Sequence, residues 1–180
     1  MGFRYCPVCA TELVMRADSA AGADGDKARL ACPDGHWTHW DNPVPVLAAL
    51  VELEGRILLA RNAAWGPKNF ALITGFMERG ETPEQGIARE LHEETGIKVP
   101  EKVLRGSIRG NHVFAAPDRS QRGRTITHAI HIALEDGEWN LPKVKGSDDA
   151  ARAKWIPISR LNSEEIFEDH YDIIQYFLGK

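Results

Sequence analysis

Gly75-Phe76-Met77-Glu78-Arg79-Gly80-Glu81-Thr82-Pro83-Glu84-Gln85 leads into a run that closes on Arg89-Glu90-Leu91-His92-Glu93-Glu94-Thr95-Gly96-Ile97. Read physically, this is a glycine-bearing loop feeding a short acidic helix. Thr82 is a good N-cap, Pro83 suits the first helical position, and Gln85 completes a Thr-x-x-Gln capping box. Gly96 fits the position just past the helix, so the spacing predicts a helix over Pro83–Thr95. At 100° per residue Glu90, Glu93 and Glu94 fall on one arc, while Ile87, Ala88 and Leu91 take the neighbouring face and pack inward. On a solvated helix such carboxylates repel by only about 0.2–0.5 kcal/mol per pair. At a cleft edge, with a dielectric of about 20 and ~6 Å separations, the cost is roughly 3 kcal/mol per pair. A divalent cation turns that repulsion into a binding site, and oxygen donors without a Cys or His cluster point to Mg²⁺ or Mn²⁺. Arg89, four residues before Glu93, is placed to pair with it.

The charge distribution agrees. The net charge is only −4, which gives no general pull toward nucleic acid or anionic membranes. Glu78 to Glu94 nevertheless carries six acids against Arg79 and Arg89, while Lys102 to Arg124 carries six bases against Asp118 alone. An acidic metal-binding helix and a basic segment in one small domain suit a metal-bound anionic ligand. An apolar share of 43% and a charged share of 27% belong to a globular chain. With no membrane-length apolar run and no signal-peptide core, a cytoplasmic location is the expectation.

The first forty residues form a separate unit in this reading. Cys6-Pro-Val-Cys9 is a CxxC knuckle, and Cys32-Pro-Asp-Gly-His36 looks like a second one 22 residues on. Three Cys and one His make an accepted tetrahedral zinc set, so structural Zn²⁺ is expected at Cys6, Cys9, Cys32 and His36, with His39 as the fallback fourth ligand. Residues 1–40 then make a zinc ribbon and 41–180 the main domain. Ribbon charge, four Lys/Arg against five Asp/Glu, is a poor footprint for a phosphate backbone and argues against nucleic acid as a partner.

Along the main domain, Val46 to Leu53 reads as a buried strand, Glu54-Gly55 as a hairpin turn, and Arg56 to Arg61 as its partner. Phe70 to Thr74 is a short strand delivering Gly75. Lys98 to Arg109 is expected to return to the sheet. Thr125 to Leu134 alternates, with His128 a core residue on its apolar face. Asp136 to Asp149 is a long loop, Ala151 to Ile156 a last strand, and Phe167, Tyr171, Ile174 and Leu178 mark a C-terminal amphipathic helix. Strands mixed with two principal helices predict an α/β fold, a sheet sandwiched between helices.

The string from Gly75 to Ile97 resembles the Nudix box, Gly, five residues, Glu, seven residues, Arg-Glu-Leu-x-Glu-Glu-x-Gly-Ile, at every specified position. The resemblance implies the Nudix α/β/α sandwich with a mixed sheet, here preceded by a small ribbon like that of NADH pyrophosphatases. It also implies Mg²⁺-dependent hydrolysis of a nucleoside diphosphate linked to another group. Carried over, Glu90, Glu93 and Glu94 ligate metal, joined by Glu81 and the Gly75 carbonyl. Arg89 orients them. The general base is left open among Glu94, Asp118, Asp148 and Asp149.

Three further patches, His112 to Ala129, Lys143 to Ala150 and Phe167 to Tyr171, resemble ADP-ribose pyrophosphatase domains fused to bacterial nicotinamide-nucleotide adenylyltransferases. ADP-ribose, cleaved to AMP and ribose 5-phosphate, is therefore the expected substrate. Arg119, Arg122 and Arg124 are expected to donate to phosphate, Asp118 to pair sugar hydroxyls, and Trp65 or Phe70 to stack on adenine. NADH or NAD⁺ pyrophosphatase activity, with RNA decapping, is the alternative. A non-catalytic nucleotide sensor is the other, although sensors lose box carboxylates that this chain keeps. The family's members are often homodimers, a point on which the sequence is silent.

Overall fold

The computed structural model describes residues 2–17, 27–61, 69–121, 123–134 and 152–179. They divide into two compact units, Met1–Asn42 and Pro43–Lys180. The first holds a two-stranded antiparallel sheet of β1 (Val14–Arg16) and β2 (Arg29–Ala31). Its small core is Cys6, Leu13 and Cys32, with Leu30 and Trp37 packed on them.

The second unit is built on β3 (Val44–Leu53), buried on both faces. Leu47, Ala49, Val51 and Leu53 enter one core layer, and Ala48 and Leu50 the other. A strand apolar on both sides needs cover on both sides. The hairpin to β4 (Arg56–Arg61) turns through Glu54 and Gly55 at φ 50° and 67°, the two positive φ values of a type I′ turn. Two short strands follow. β5 (Phe70–Ala71) pairs with β4, and β6 (Ile73–Phe76) pairs with β3 so that Leu47 faces Gly75. The chain thus changes neighbour at Leu72, and the Leu72 N–H donates to His170 Nδ1 at 3.3 Å.

α1 (Pro83–Thr95) has the anticipated bounds, and Thr82 and Gln85 exchange both capping-box hydrogen bonds. It packs Ile87 and Leu91 on the first core layer. The stretch expected to rejoin the sheet at once instead forms α2 (Glu101–Ser107) before β7 (Ile108–Phe114). Pro100 caps it, the Glu101–Arg105 pair at 2.8 Å braces it, and Leu104 is buried beneath. β8 (Thr125–Ala133) lies parallel to β3, β9 (Arg152–Pro157) antiparallel to β4, and α3 (His170–Leu178) closes the chain. The seven-stranded mixed sheet runs β5-β4-β3-β8-β7, with β6 beside β3 and β9 beside β4. Side chains of α1 and α2 fill one layer, and Ile173 and Ile174 of α3 the other. This is an α/β/α sandwich with three helices. His128 is half-buried on β8 and belongs to neither core layer.

Candidate active site and metal centre

The β3–β6 pairing sets Gly75 directly under α1. A Cβ on Gly75 would stand 1.9 Å from the Glu90 carboxyl carbon, so the missing side chain makes the cradle in which that carboxyl lies. Around it the Arg89 guanidinium gathers the acids. Its Nη2 donates to Glu81 Oε1 at 2.8 Å and to the Phe76 carbonyl at 3.1 Å, and its Nε to Glu81 Oε2 at 3.2 Å. Its Nη1 donates to Glu90 Oε1 at 2.5 Å and to Glu93 Oε2 at 3.2 Å. One arginine therefore holds three carboxylates, two more than the i, i+4 spacing anticipated.

These bonds set the protonation pattern. Hydrogen bonding to Arg89 holds the Glu81 carboxyl below its ordinary range, and Arg89 itself is held firmly protonated, foremost by Glu81. Burial raises Glu90. Burial, reinforced by the Glu90 charge, pushes Glu94 up to about 8 against an opposing hydrogen bond from the Thr74 backbone. Glu94 Oε2 is a buried oxygen without a hydrogen-bond partner. An unpartnered carboxylate oxygen, a neighbouring carboxyl in a glycine cradle and a third acid on the same helix are a hard-oxygen donor set. They fit Mg²⁺ or Mn²⁺. Glu93, with its side chain 57% exposed, stands at the outer rim.

Gly75 and Glu90 open into a cleft of about 410 Å³, a volume ordinary for a small-molecule site. Besides residues of β3, β6 and β8, its walls include two distant stretches: Arg119, Ser120, Gly123 and Arg124, and Phe167, Glu168 and His170. The two stretches are locked together. Arg119 forks onto Asp169 at 2.8 and 3.0 Å and also donates to Thr127 Oγ1 at 2.5 Å. Its side chain is only 9% exposed. Arg119 thus anchors the loop while it lines the cleft. Arg124 lines the cleft while its Nη1 donates to the carbonyls of Ala115 and Thr125.

Other expected ligand residues fall elsewhere. Phe70 packs in the core layer under α3, with Lys154 Nζ 5.7 Å from its ring centre, and is not among the lining residues. The lining ring is Phe167, whose N–H donates to the Phe70 carbonyl at 2.8 Å. Asp118 sits in an exposed turn just before Arg119 and is not itself among the lining residues. Trp65, Arg122, Asp148, Asp149 and the Lys143 to Ala150 patch lie outside the described residues. Sequence reasoning had no role for Glu168, Asp169 or His170 beyond the Phe167–Tyr171 resemblance. Their partners are about fifty or more residues away and leave no local spacing signal.

In the first unit, Cys6, Cys9, Cys32 and His36 each bring a ligand atom within 4.8 Å of the others. Cys9 Sγ is 3.6 Å from Cys32 Sγ, which is 3.8 Å from His36 Nδ1. A tetrahedral site with Zn–S of about 2.3 Å has edges of about 3.8 Å, so the cluster has the dimensions of a zinc centre. His39 stacks on Trp37 at 5.7 Å and lies 3.8 Å from the Asp41 carboxylate, outside the cluster. Hydrogen bonds, first from Thr11 and then from His36, lower the Cys9 thiol to about 6. Thiolate is the form that binds metal.

The NUDIX domain family matches residues 41–177. An ADP-ribose pyrophosphatase of Methanocaldococcus jannaschii is 32% identical over 138 residues, covering 76% of this chain and 74% of that protein. The NAD-capped RNA hydrolase NudC of Vibrio parahaemolyticus is 33% identical over 158 residues, 88% of this chain, and the chain spans about half, 52%, of that relative's length. A bifunctional NMN adenylyltransferase/ADP ribose pyrophosphatase from Francisella tularensis, solved with AMP and a Mn ion, aligns at TM-score 0.68 and 36% identity. That alignment covers 77% of this chain and 42% of the other. A NUDIX hydrolase from Nitrosomonas europaea, 24% identical, shares the fold at TM-score 0.73 over 98% of this chain and 91% of its own. Among the described residues no helix is long and apolar enough to cross a membrane. With box, sandwich and relatives in agreement, the chain belongs to the Nudix family of pyrophosphohydrolases.

Proposed function

We propose that the cleft hydrolyses the diphosphate of ADP-ribose to AMP and ribose 5-phosphate, with Mg²⁺ or Mn²⁺ held by Glu90, Glu93 and Glu94, and by Glu81 and the Gly75 carbonyl. The observation that carries this reading is the convergence of two of the three ADP-ribose-type patches, through Arg119 to Arg124 and Phe167 to His170, on the same cleft as Gly75 and Glu90. The relative named ADP-ribose pyrophosphatase supports it. A bound divalent ion would neutralise the phosphate oxygens and lower the pKa of a bound water.

The remaining work falls to the chain. Arg89 holds Glu81, Glu90 and Glu93 around one guanidinium by its hydrogen bonds. Glu94 holds a proton at neutral pH before the ion arrives, because its carboxyl titrates at about 8. As a metal ligand it would give that proton up. Among Glu94, Asp118, Asp148 and Asp149, Glu94, a buried carboxyl whose burial and Glu90 neighbour raise it, is our candidate for the general base. The Arg119–Asp169 fork fixes the far wall, so substrate enters a shaped site.

Phosphorus-31 NMR of ADP-ribose with the protein and Mg²⁺ tests the reading. AMP and a sugar monophosphate in equal amounts are expected, with no turnover when Mg²⁺ is withheld. A second reading, cleavage of NAD⁺, NADH or NAD-capped RNA, is favoured by one observation. The match to the relative named NudC covers 158 residues, more than Pro43–Lys180 holds, so it reaches into the ribbon. Turnover of NADH with ADP-ribose left intact would establish that reading instead.

For the ribbon we propose one structural Zn²⁺ on Cys6, Cys9, Cys32 and His36. Such ions contribute about 10–16 kcal/mol in isolated zinc modules, and among the described residues this unit's hydrophobic cluster is just Cys6, Leu13 and Cys32. Elemental analysis should find one zinc per chain, falling toward zero in Cys32→Ser. A metal-free parent that remains folded in residues 2–17 and 27–42 would reject the site.

A further inference from the structure

We propose that Glu168 reads the 2′,3′-diol of the substrate's nucleoside sugar, with the adjacent Phe167 ring facing the base. The proposal rests on the reading of the cleft as a nucleoside-diphosphate site and deepens it. Its starting point is the backbone. Four non-glycine residues among the described ones have positive φ: Ala10, Asp41, Glu54 and Glu168. Ala10 closes the Cys6 knuckle through its N–H to the Cys6 carbonyl, and Glu54 makes the β3–β4 turn. Glu168, at φ 44°, sits in the turn that the His170 N–H closes on the Phe167 carbonyl at 3.2 Å, and it lines the cleft. A left-handed glutamate is disfavoured, by about 1–3 kcal/mol, and persists only where its surroundings over-determine it.

They do so here. Before Glu168, the Phe167 N–H is fixed to the Phe70 carbonyl at 2.8 Å. After it, Asp169 is held by the Arg119 fork, and His170 Nδ1 takes the Leu72 N–H that the change of strand partner frees. The Glu168 carboxyl is itself oriented, since its Oε1 accepts from the Gln121 N–H at 3.2 Å. The result of this bracing is a ring and a carboxylate from consecutive residues, both lining one cleft.

Charge then decides what the carboxylate meets. A carboxylate facing a diphosphate would repel it, so Glu168 marks the part of the ligand without phosphate. An ionised carboxyl only accepts hydrogen bonds, and two neighbouring hydroxyls only need to donate to satisfy it. Acidic side chains take ribose hydroxyls in this way in dinucleotide sites. In a nucleoside the base and the 2′,3′-diol hang on the same sugar, which matches a ring and an acid placed side by side.

The test measures KM and kcat for ADP-ribose and for the analogue lacking the adenosine 2′-hydroxyl, in the parent, Glu168→Gln and Glu168→Gly. Glutamine keeps an oxygen for the Gln121 amide but replaces the second acceptor by a donor. Glycine removes the carboxyl and also the penalty of positive φ, so that variant folds. The parent should favour ADP-ribose by at least about tenfold, since sites built for a hydroxyl reject analogues without it. In both variants that preference should shrink to within about twofold, with the loss for ADP-ribose falling on KM. An undiminished preference in the variants overturns the inference. So does a kcat loss equal for both substrates, which would make Glu168 a proton acceptor in the reaction. A parent that cleaves neither compound overturns the reading of the cleft and this inference with it, whereas a parent active on ADP-ribose isolates a failure to Glu168.

Discussion

Glu94→Gln should lower kcat for ADP-ribose by about 10²–10⁴-fold, the range for loss of a group that handles the proton in the transition state, and leave the fold intact. Glutamine fills the same buried space and keeps an oxygen for the Thr74 amide, but it offers a metal or a water no charge. A second readout separates this role from packing. In the parent without Mg²⁺, the folded Glu94 carboxyl titrates at about 8 and the unfolded one at about 4.3. Between these values the folded state binds a proton that the unfolded state releases, so this contribution to stability is full below pH about 4 and lost as pH rises through about 8. The thermal midpoint of the Mg²⁺-free parent should therefore drop from pH 5 to pH 8 more steeply than that of Glu94→Gln. Mg²⁺ should restore the parent at pH 8, because a ligand of the folded state alone stabilises it. Buffers without chelator keep the ribbon's metal out of the comparison. Equal kcat in parent and variant would remove Glu94 from the mechanism.

Gly75→Ala should separate activity from stability in the opposite way to a core mutation. The added Cβ would overlap the Glu90 carboxyl, with carbon and oxygen at 1.9 Å. The overlapped group is the end of a flexible side chain, and Gly75 does not use positive φ. Alanine is thus accommodated by turning Glu90 away, at little cost in folding. The donor set, however, loses its geometry, and displacements of about 1 Å at a reacting centre cost on the order of 10²-fold in rate. Gly86→Ala is the comparison: its Cβ would lie 2.2 Å from Leu47 Cδ1 in the core and 2.6 Å from Glu81 Oε1, so it should cost about 1–3 kcal/mol of stability by overpacking as well as disturbing Glu81. A Gly75→Ala protein with parental kcat and Mg²⁺ response would show that Glu90 need not occupy the cradle.

What the sequence discloses here follows the range of the forces. α1 was legible to the residue because its signals are local: Thr82 and Gln85 cap one end and Gly96 the other. The β3–β4 hairpin was legible for the same reason, through Glu54-Gly55. α2 was not, since seven residues carry too little periodicity and its start is signalled only by Pro100. Arg119 reads in sequence as a loop arginine, and its partner Asp169, fifty residues away, is disclosed only by folding. The same holds for the aromatic. Phe70 and Phe167 are joined through the backbone, and it is the distant one that reaches the cleft. Local chemistry thus placed the acids of α1, while the distant residues that share the cleft with Glu90 are brought there by tertiary packing.

Whether the cleft is built for ADP-ribose, as proposed above, is decided by a side-by-side comparison of kcat/KM. ADP-ribose, NADH, NAD⁺, diadenosine polyphosphates and 8-oxo-dGTP would be compared at one fixed Mg²⁺ concentration. ADP-ribose should lead by at least about tenfold, which corresponds to only about 1.4 kcal/mol of transition-state binding. A lead of the same size for NADH would overturn the ADP-ribose reading and make the ribbon the better guide to the substrate.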